Sequence, residues 1–589
     1  MSGAFVLLAA QCQDDTWFSI DWKACHDVVR SLQNRIVQSV QQGAWRKAKR
    51  LSHLLTRSYS ARALAVKRVT ENKGKKTAGI DGERWLTPNQ KMRATARLAC
   101  WRGYQPKALK RIRIPKKDKS QTRPLSIPAM EDRARQALYM LALSPIAETL
   151  ADGNSYGFRP KRRCADAIDQ IFKTLRQKGS SQWILEADIK GFFDNIDFDW
   201  IAQNIPINRR ILNAWLNCGF IENETYHPTT TGVPQGGIIS PVIGNWVLDG
   251  LEAVICQGPW YKRIHGINFV RYADDFIVTA KTREVLENEI IPRINAFLAP
   301  RGVRLSETKT RITHISEGFD FLGQTIRKYR RTDGTLGKIQ IEPSKLSINS
   351  IKQKITDIFR SSGQLTQTEL ISRLNPVLRG WANYHRHIIC GETFAEVDSF
   401  GFVWFRIMRW GTRRHPTKTA LWLARTYFTH GKDSAWIFKD KVSGKTLIRL
   451  TQEIKTFRHI KIQANANPFD TQWNDYFRPA VTYNSLMHTV AETEIFRHYA
   501  ASIWEDDERI EFINWIAANP LSGDVIPGSG GCRKVRWTRS GMGKRGGARV
   551  IYFNDKDGCI WLLIAYAKAK FDNLPTEFLA KLKIEVEHG

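Results

Sequence analysis

Residues 268–277, NFVRYADDFI, set two adjacent aspartates, Asp274 and Asp275, between short apolar runs. Upstream, LEADIKGFFDNID places Asp188 at the end of another apolar run. Three carboxylates so arranged suit a pair of divalent cations. Phosphoryl transfer to a nucleotide 3′ end uses two metal ions roughly 4 Å apart, one at the attacking oxygen and one on the triphosphate. Hard cations take oxygen ligands, and Mg²⁺ keeps several waters, so two or three carboxylates suffice. Taken alone, an Asp-Asp pair reads as a solvated hairpin turn. Here apolar runs flank it on both sides, and a carboxylate buried by them needs a cation or hydrogen-bond donors.

Two further segments bear on that chemistry. TTTGVPQGGIISPVIGNWVLDGLE (229–252) is a Gly-Pro-Gln-Gly loop opening a helix. Its backbone can approach a base pair closely, and Gln235 can hydrogen-bond a template base or sugar; an ordinary loop and helix cap is the plainer reading of any one residue. IPKKDKSQTRPLSIP (114–128) offers Lys116 and Arg123 on an expected hairpin, suited to gripping a triphosphate. As isolated basic residues they also read as a solvated face.

The elements that must position these groups belong to a 589-residue chain, long enough for three or four domains. Its formal charge of +33 points to a polyanionic partner held by phosphate contacts and counterion release. A basic membrane-surface protein would need an amphipathic anchor, and the sequence offers none. GAFVLLAA (3–10) is too short to span a bilayer and lacks a preceding basic segment, so a cytoplasmic protein without membrane attachment is expected. Nine scattered cysteines, none at CxxC spacing, argue against a zinc site and for reduced thiols. From Ala491 to Gly589 there are fourteen basic and fourteen acidic residues, so the whole excess lies in the first 490 residues. That shift marks a domain boundary near His488.

Periodicity gives the rest of the outline. Residues 22–72 carry apolar groups at three- and four-residue intervals and predict helices. RIRIPKK and RPLSIP predict strands, and DRARQALYMLAL a helix. Short apolar strands alternate with helical stretches over 183–330, the pattern of an α+β sheet. Residues 345–455 return to helix, 463–485 read as a linker or small docking segment, and an α/β module begins at 489.

DIKGFFDNID, GVPQGGIISP, RYADDF and GFDFLG, in this order, resemble the successive blocks of reverse transcriptases encoded by bacterial group II introns. The resemblance extends from about residue 17 to 480, through NPVLRGWANYHRH and RHPTKTALWLARTYF, which are similar to the thumb and maturase region. It implies a multidomain α+β right-hand polymerase: an N-terminal helical extension (1–72), fingers and palm with an antiparallel sheet (73–330), an α-helical thumb/maturase domain (331–455) and a DNA-binding-like linker (456–488). It implies RNA-directed DNA synthesis with two Mg²⁺, assistance to intron splicing, and retrohoming. Intron RNA, an RNA template, a DNA target or primer and dNTPs are the implied partners. By motif position Asp188, Asp274 and Asp275 would ligate metal, with the carbonyl of Ile189 as an extra ligand. Lys116 and Arg123 would bind triphosphate, Phe193 would exclude a ribose 2′-OH, and Gln235 with Gly236 would border the nascent pair. Arg379, Trp381, Tyr384 and Arg386 fall in the RNA-binding motif of the maturase region, where packing plus surface charge is the alternative.

The pattern departs at the C-terminal end. Many relatives continue into an endonuclease with paired CxxC motifs, which this chain lacks. Residues 489–589 instead resemble a small α/β RelE/HigB-type toxin through EFINWIAANPLSGDVIPGSGGCRKVRW, GMGKRGGARVIYF and IWLLIAYAKAKFDNLPTEFLAKLK. That resemblance implies a metal-independent ribonuclease, with Arg549, Tyr552, Tyr566 and Lys568 as candidates and a ribosome or an antitoxin as partner. Fold does not fix mechanism, and an RNA-docking remnant is the other reading. A toxin or defence effector, with the tail cleaving or binding mRNA, is therefore the alternative function.

Overall fold

The computed structural model of the chain describes residues 17–115, 122–430, 436–477 and 489–504, with parts of 508–579. It divides into two compact units, Met1–Phe477 and Arg478–Gly589. No helix among the described residues is long and apolar enough to cross a membrane.

The first unit opens with three helices, α1 (Trp22–Gln41), α2 (Trp45–Arg57) and α3 (Tyr59–Glu71). Asp21 caps α1 by accepting the Ala24 amide, and Ser58 caps α3 by accepting the Ala61 amide, the short polar side chains that satisfy first-turn donors. Their apolar faces, including Ile36, Leu55 and Val66, pack with Ala134, Leu138 and Ile146 of a long helix, Met130–Leu150. The basic residues between them are left at the surface, as the periodicity predicts.

Strands β1 (Leu109–Pro115) and β2 (Thr122–Ile127) form the expected hairpin, with Ile114 opposite Arg123. After the long helix (α4) come α5 (Cys164–Leu175), β3 (Trp183–Ala187), the short strands β4 (Phe220–Glu222) and β5 (Thr225–His227), and α6 (Ser240–Leu248). Then follow β6 (Asn268–Tyr272), β7 (Asp275–Ala280) and β8 (Arg311–His314). One sheet has the order β2-β1-β4-β5, and a second, wholly antiparallel, has the order β6-β7-β3-β8. The second is buried on both faces. Leu185, Phe269, Phe276 and Val278 point into one core, and Ile184, Val270 and Ile277 into another shared with Ile168 and Ile171 of α5. Two-sided burial explains why these strands read as continuous apolar runs rather than alternating ones.

Beyond the sheet β9 (Phe319–Phe321), β10 (Gln324–Arg330) and β11 (Leu336–Pro343) make a three-stranded meander. Helices α7 (Lys345–Arg360) and α8 (Gln367–His385) then enclose a separate core of Ile355, Leu374, Leu378 and Trp410, closed by the hairpin of β12 (Phe428–His430) and β13 (Trp436–Phe438). Residues 457–477 run back across the unit as a strap. The Phe457 amide donates to the Arg386 carbonyl (3.1 Å), His459 Nε2 meets Asp166 (2.9 Å) at the start of α5, and Asn467 donates to Thr149 (3.0 Å). Gln41 and Asn34 of α1 then hold Asp470 and Thr471. The segment expected to be a DNA-binding-like linker is, over its described part, packed against its own chain. Beneath it Arg159 and Arg162 share the buried carboxylate of Glu148, and Arg162 also donates to the carbonyls of Ala464 and Ala466.

The second unit is a five-stranded sheet of order β14-β18-β17-β16-β15, formed by Thr489–Glu492, Cys559–Ala567, Ala548–Asn554, Arg533–Trp537 and Asp524–Val525 respectively. The β14–β18 pair is parallel and the rest antiparallel. One face packs against Phe496, Trp504 and Phe512, and the other carries Cys532, Ile551, Phe553, Ile564 and Tyr566.

Removing Glu148 strands two buried guanidinium groups. Glu148→Ala should destabilise the chain by about 3–5 kcal/mol, read as an earlier first transition in a denaturant titration; an unchanged transition would show the cluster to be solvated. Asp132 offers a pH test. Burial pushes its carboxyl up to about 6, against hydrogen bonds from Tyr104 Oη (2.6 Å) and the Lys107 amide (3.1 Å). With the folded-state value above the unfolded one, this group's contribution is full below about pH 4 and is lost as pH rises through about 6. The stability of Asp132→Asn relative to wild type should therefore increase from pH 4 to pH 7 in thermal melts.

Candidate active site

Strands β6 and β7 are joined by a two-residue loop, with Tyr272 paired to Asp275 and Ala273-Asp274 at the tip. Ala273 has a φ of 59°, a left-handed conformation that costs a residue with a Cβ about 1–2 kcal/mol. The tip is held from below. Gly157 lies so close that a Cβ there would stand 2.3 Å from the Ala273 nitrogen, which leaves no residue but glycine at that position.

β3 supplies the third carboxylate. Its register pairs Ala187 with Phe276, and carrying that register one residue further sets Asp188 opposite Asp275. Residues directly opposite in an antiparallel pair have Cβ atoms about 4.5–5.5 Å apart. The chain then turns away. The Ser306 amide donates to the Asp188 carbonyl (2.8 Å) and the Lys190 amide to the Arg304 carbonyl (3.0 Å), so these two bonds bracket Ile189 and leave its own carbonyl outside the ladder.

The three charges repel one another in a partly dry cleft. Burial pushes the Asp275 carboxyl up to about 6, and Asp274 and Asp188 push it the same way. Burial also raises Asp274, with Asp188 adding to the rise. Asp275 retains solvent-accessible area, yet it lies in a concavity crowded enough to desolvate it, so it is accessible and poorly hydrated at once. Lys309 offsets the repulsion: its Nζ donates to Asp188 Oδ2 at 2.8 Å, a bond that raises the lysine's own pKa. Among the described residues no three His, Cys, Asp or Glu side chains stand close enough together to hold an ion as they are arranged. The donor set still fits a hard cation, because it is all oxygen, desolvated and in excess negative charge.

Around this centre the loop and hairpin singled out in the sequence are tied together. The Gln235 carbonyl accepts the Ser126 amide of β2 (2.7 Å), and Gly236, at φ 113°, lies against the Ser126 carbonyl, where a Cβ would approach to 2.6 Å. The Gln235 side chain reaches Asp194 (3.4 Å), and the Phe193 carbonyl accepts the Val233 amide (2.6 Å). Phe193 follows Asp188 on the short helix Phe192–Asn195 and packs on Gly244 of α6. Arg123 is exposed on β2, and Lys116 lies outside the described residues.

The maturase-region residues divide. Trp381 donates to Ser347 Oγ (3.1 Å) and packs with His385 and Phe394 against the core of α7 and α8. Tyr384 is exposed at its edge but donates its hydroxyl to the Leu322 carbonyl (2.9 Å), joining α8 to the turn before β10. Arg386 lies over Phe457, and exposed Arg379 faces Glu453 at 3.9 Å. In the second unit Arg549 stands in cross-strand register with Tyr566 and with Arg536. Tyr552 belongs to the core on the opposite face, where its hydroxyl accepts the Gly523 amide (3.0 Å). Both tyrosines are buried, and they do not share a site. Lys568 lies outside the described residues.

Two charged groups beside this centre escaped the sequence reading. Lys309 stands in SETKT with nothing to distinguish it from a turn lysine. Arg271, a charge in the middle of the apolar strand NFVRY, carried a legible signal, since a fully buried arginine requires several acceptors.

Comparison with known proteins agrees with this architecture. The family described as reverse transcriptase (RNA-dependent DNA polymerase) matches residues 114–326, the N-terminal domain of reverse transcriptase matches 17–98, and the group II intron maturase-specific domain matches 348–428. The chain is 28% identical to the group II intron-encoded protein LtrA of Lactococcus lactis over 51% of its own length and 63% of that relative's, so it spans less than two thirds of it. It is 28% identical to protein YkfC of Escherichia coli over 42% of its length and 74% of the relative's. An uncharacterised 91 kDa protein in the cob intron of Schizosaccharomyces pombe is 27% identical over 47% of the chain and 43% of the relative. Reverse transcriptases as a family use divalent metal ions. The chain thus carries reverse transcriptase and group II intron maturase domains and is homologous to proteins encoded by such introns.

Proposed function

We propose that the chain is an RNA-directed DNA polymerase that also assists the splicing of a group II intron RNA and its retrohoming. The observation that carries this reading is the register that sets Asp188 opposite the Asp274–Asp275 hairpin, beside a loop and a basic hairpin tied together at Ser126. Two Mg²⁺ held by Asp188, Asp274 and Asp275, with the Ile189 carbonyl in reach, would activate the attacking oxygen and neutralise the triphosphate. In the reaction the primer 3′ oxygen gives its proton to water and bonds to the α-phosphorus of a dNTP. The bond to the bridging oxygen breaks, and pyrophosphate leaves with its electron pair. Arg123 and Lys116 grip the triphosphate and hold it for in-line attack. Gln235 and Gly236 border the new base pair, and the Phe193 ring occupies the space a 2′-OH would need. Lys309, paired with Asp188, would offset the charge of the carboxylates and would release Asp188 to a bound cation. Arg379 and Arg386 present charge to the intron RNA, with Trp381 and Tyr384 holding the helix that carries them.

The domain limits inferred from the sequence remain our proposal for how these tasks are divided. For residues 489–589 we keep the RelE/HigB-like reading of the fold and propose RNA contact rather than cleavage. Arg533, Lys534 and Arg536 on β16 lie beside Arg549 on β17, a concentration of positive charge suited to a polyanion. The toxin alternative gains nothing from the comparisons, whose family matches end at residue 428, and neither a ribosome nor an antitoxin partner follows from them.

RNA-templated primer extension tests the main reading. Wild type should incorporate dNTPs only with a divalent ion, and Asp274→Ala and Asp275→Ala should reduce incorporation to background; undiminished synthesis by either variant would refute it. Phe193→Ala should raise ribonucleotide use relative to deoxynucleotide by at least about 10-fold, measured as the ratio of kcat/KM values. An unchanged ratio would remove Phe193 from the sugar-sensing role.

A further inference from the structure

Arg271 is fully buried one residue before the tyrosine of the hairpin, and its charge is not directed at the carboxylates above it. Among the described residues the cation facing Asp188, Asp274 and Asp275 is Lys309. Instead the Arg271 fork is engaged by α6 and the residue that caps it. Nη2 pairs with Asp249, and Nη1 donates to Asn245 Oδ1 (3.2 Å) and to the carbonyl of Ala273 (3.3 Å), the strained residue at the hairpin tip. Asn245 in turn donates to the Gly157 carbonyl (2.8 Å), and Gly157 is the residue lying against the Ala273 nitrogen. The backbone on either side is fixed as well. The Arg271 amide donates to the Asn154 carbonyl and the Tyr156 amide to the Arg271 carbonyl, both at 2.9 Å. Asp249 is itself backed by Asp152, whose carboxylate accepts the amides of Gly250 and Glu252.

From this geometry we infer that Arg271, acting with Asn245 and Asp249, is a positioning residue that sets the height of the Ala273-Asp274 turn and so the spacing of the paired aspartates from Asp188. The inference rests on the polymerase reading above. A buried ion pair by itself would be weak evidence, because apolar residues of similar volume hold a core as well. What an apolar residue or a lysine cannot do is hold three acceptors on one planar fork, one of them the turn carbonyl. Among the described residues Arg271 Nε finds no partner, so its contacts to the turn and α6 are made by the two terminal nitrogens. The same helix follows the Gln235–Gly236 loop, so the network joins the loop that borders the base pair to the hairpin beneath it.

The test compares wild type with Asn245→Ala, Arg271→Lys and Arg271→Met. Three quantities are measured on the full chain: single-nucleotide incorporation against metal concentration, binding of Mn²⁺ alone by loss of the free-ion EPR signal, and the melting temperature. Loss of outer-shell support weakens a metal site by about 10–100-fold. Asn245→Ala and Arg271→Lys should thus need about 10-fold more metal for half-maximal rate and bind Mn²⁺ correspondingly more weakly. A merely structural role would lower the melting temperature and leave both metal curves in place, and that result overturns the inference. Should Arg271→Met fail to fold, Asn245→Ala decides, because it leaves the Arg271–Asp249 pair intact. A wild type that neither extends primers nor binds Mn²⁺ overturns the polymerase reading and this inference with it. A wild type that does both, while its variants match it, overturns this inference alone.

Discussion

Three negative charges brought into one desolvated cleft are the constraint on which the rest of this protein depends. Bringing Asp188, Asp274 and Asp275 together is unfavourable without a cation, as the upward shifts of Asp274 and Asp275 record. A fold that holds them must be rigid elsewhere. The antiparallel sheet β6-β7-β3-β8, buried on both faces, supplies that rigidity, and its register rather than any loop brings residues distant in sequence side by side.

The same constraint accounts for features that would otherwise look unrelated. Ala273 is held in an unfavourable conformation, Gly157 has no room for a side chain, and an arginine is fully buried beneath the turn. Each makes sense if the hairpin tip must not move. Lys309 complements this arrangement. An exposed lysine on a flexible stem can lie on Asp188 and be displaced, whereas a buried arginine in its place could not. Farther out the strap 457–477 binds Arg386 at the end of α8, Asp166 of α5, Thr149 of α4 and Asn34 of α1, all within the first unit.

Much of this is legible in the amino-acid sequence. Apolar runs around Asp274 and Asp275 announced a buried hairpin, and the three- and four-residue spacing over 22–72 announced helices; each is a local pattern. The sequence motifs pointed to Gln235 and Gly236, whose proximity to the hairpin β1–β2 is visible only through the Ser126 contacts. Other points were not legible because they are set by the partner across space. Trp381 and Tyr384 read equally as RNA contacts or as packing, and their bonds to Ser347 and Leu322 appear only in the folded chain. Tyr552 and Tyr566 sit on neighbouring strands in a similar basic context. Strand alternation sends them into different cores, and no composition argument could have shown that.

The most direct measurement of the central claim is metal-localised cleavage of the chain itself. Fe²⁺ bound in place of Mg²⁺, with ascorbate and peroxide, generates radicals that cut the backbone near the ion. If one site unites the three carboxylates, cuts appear together near residue 188 and near 274–275, and Asp274→Asn abolishes both sets. Cuts confined to one of these segments, or cuts at 188 that survive the substitution, would contradict the account.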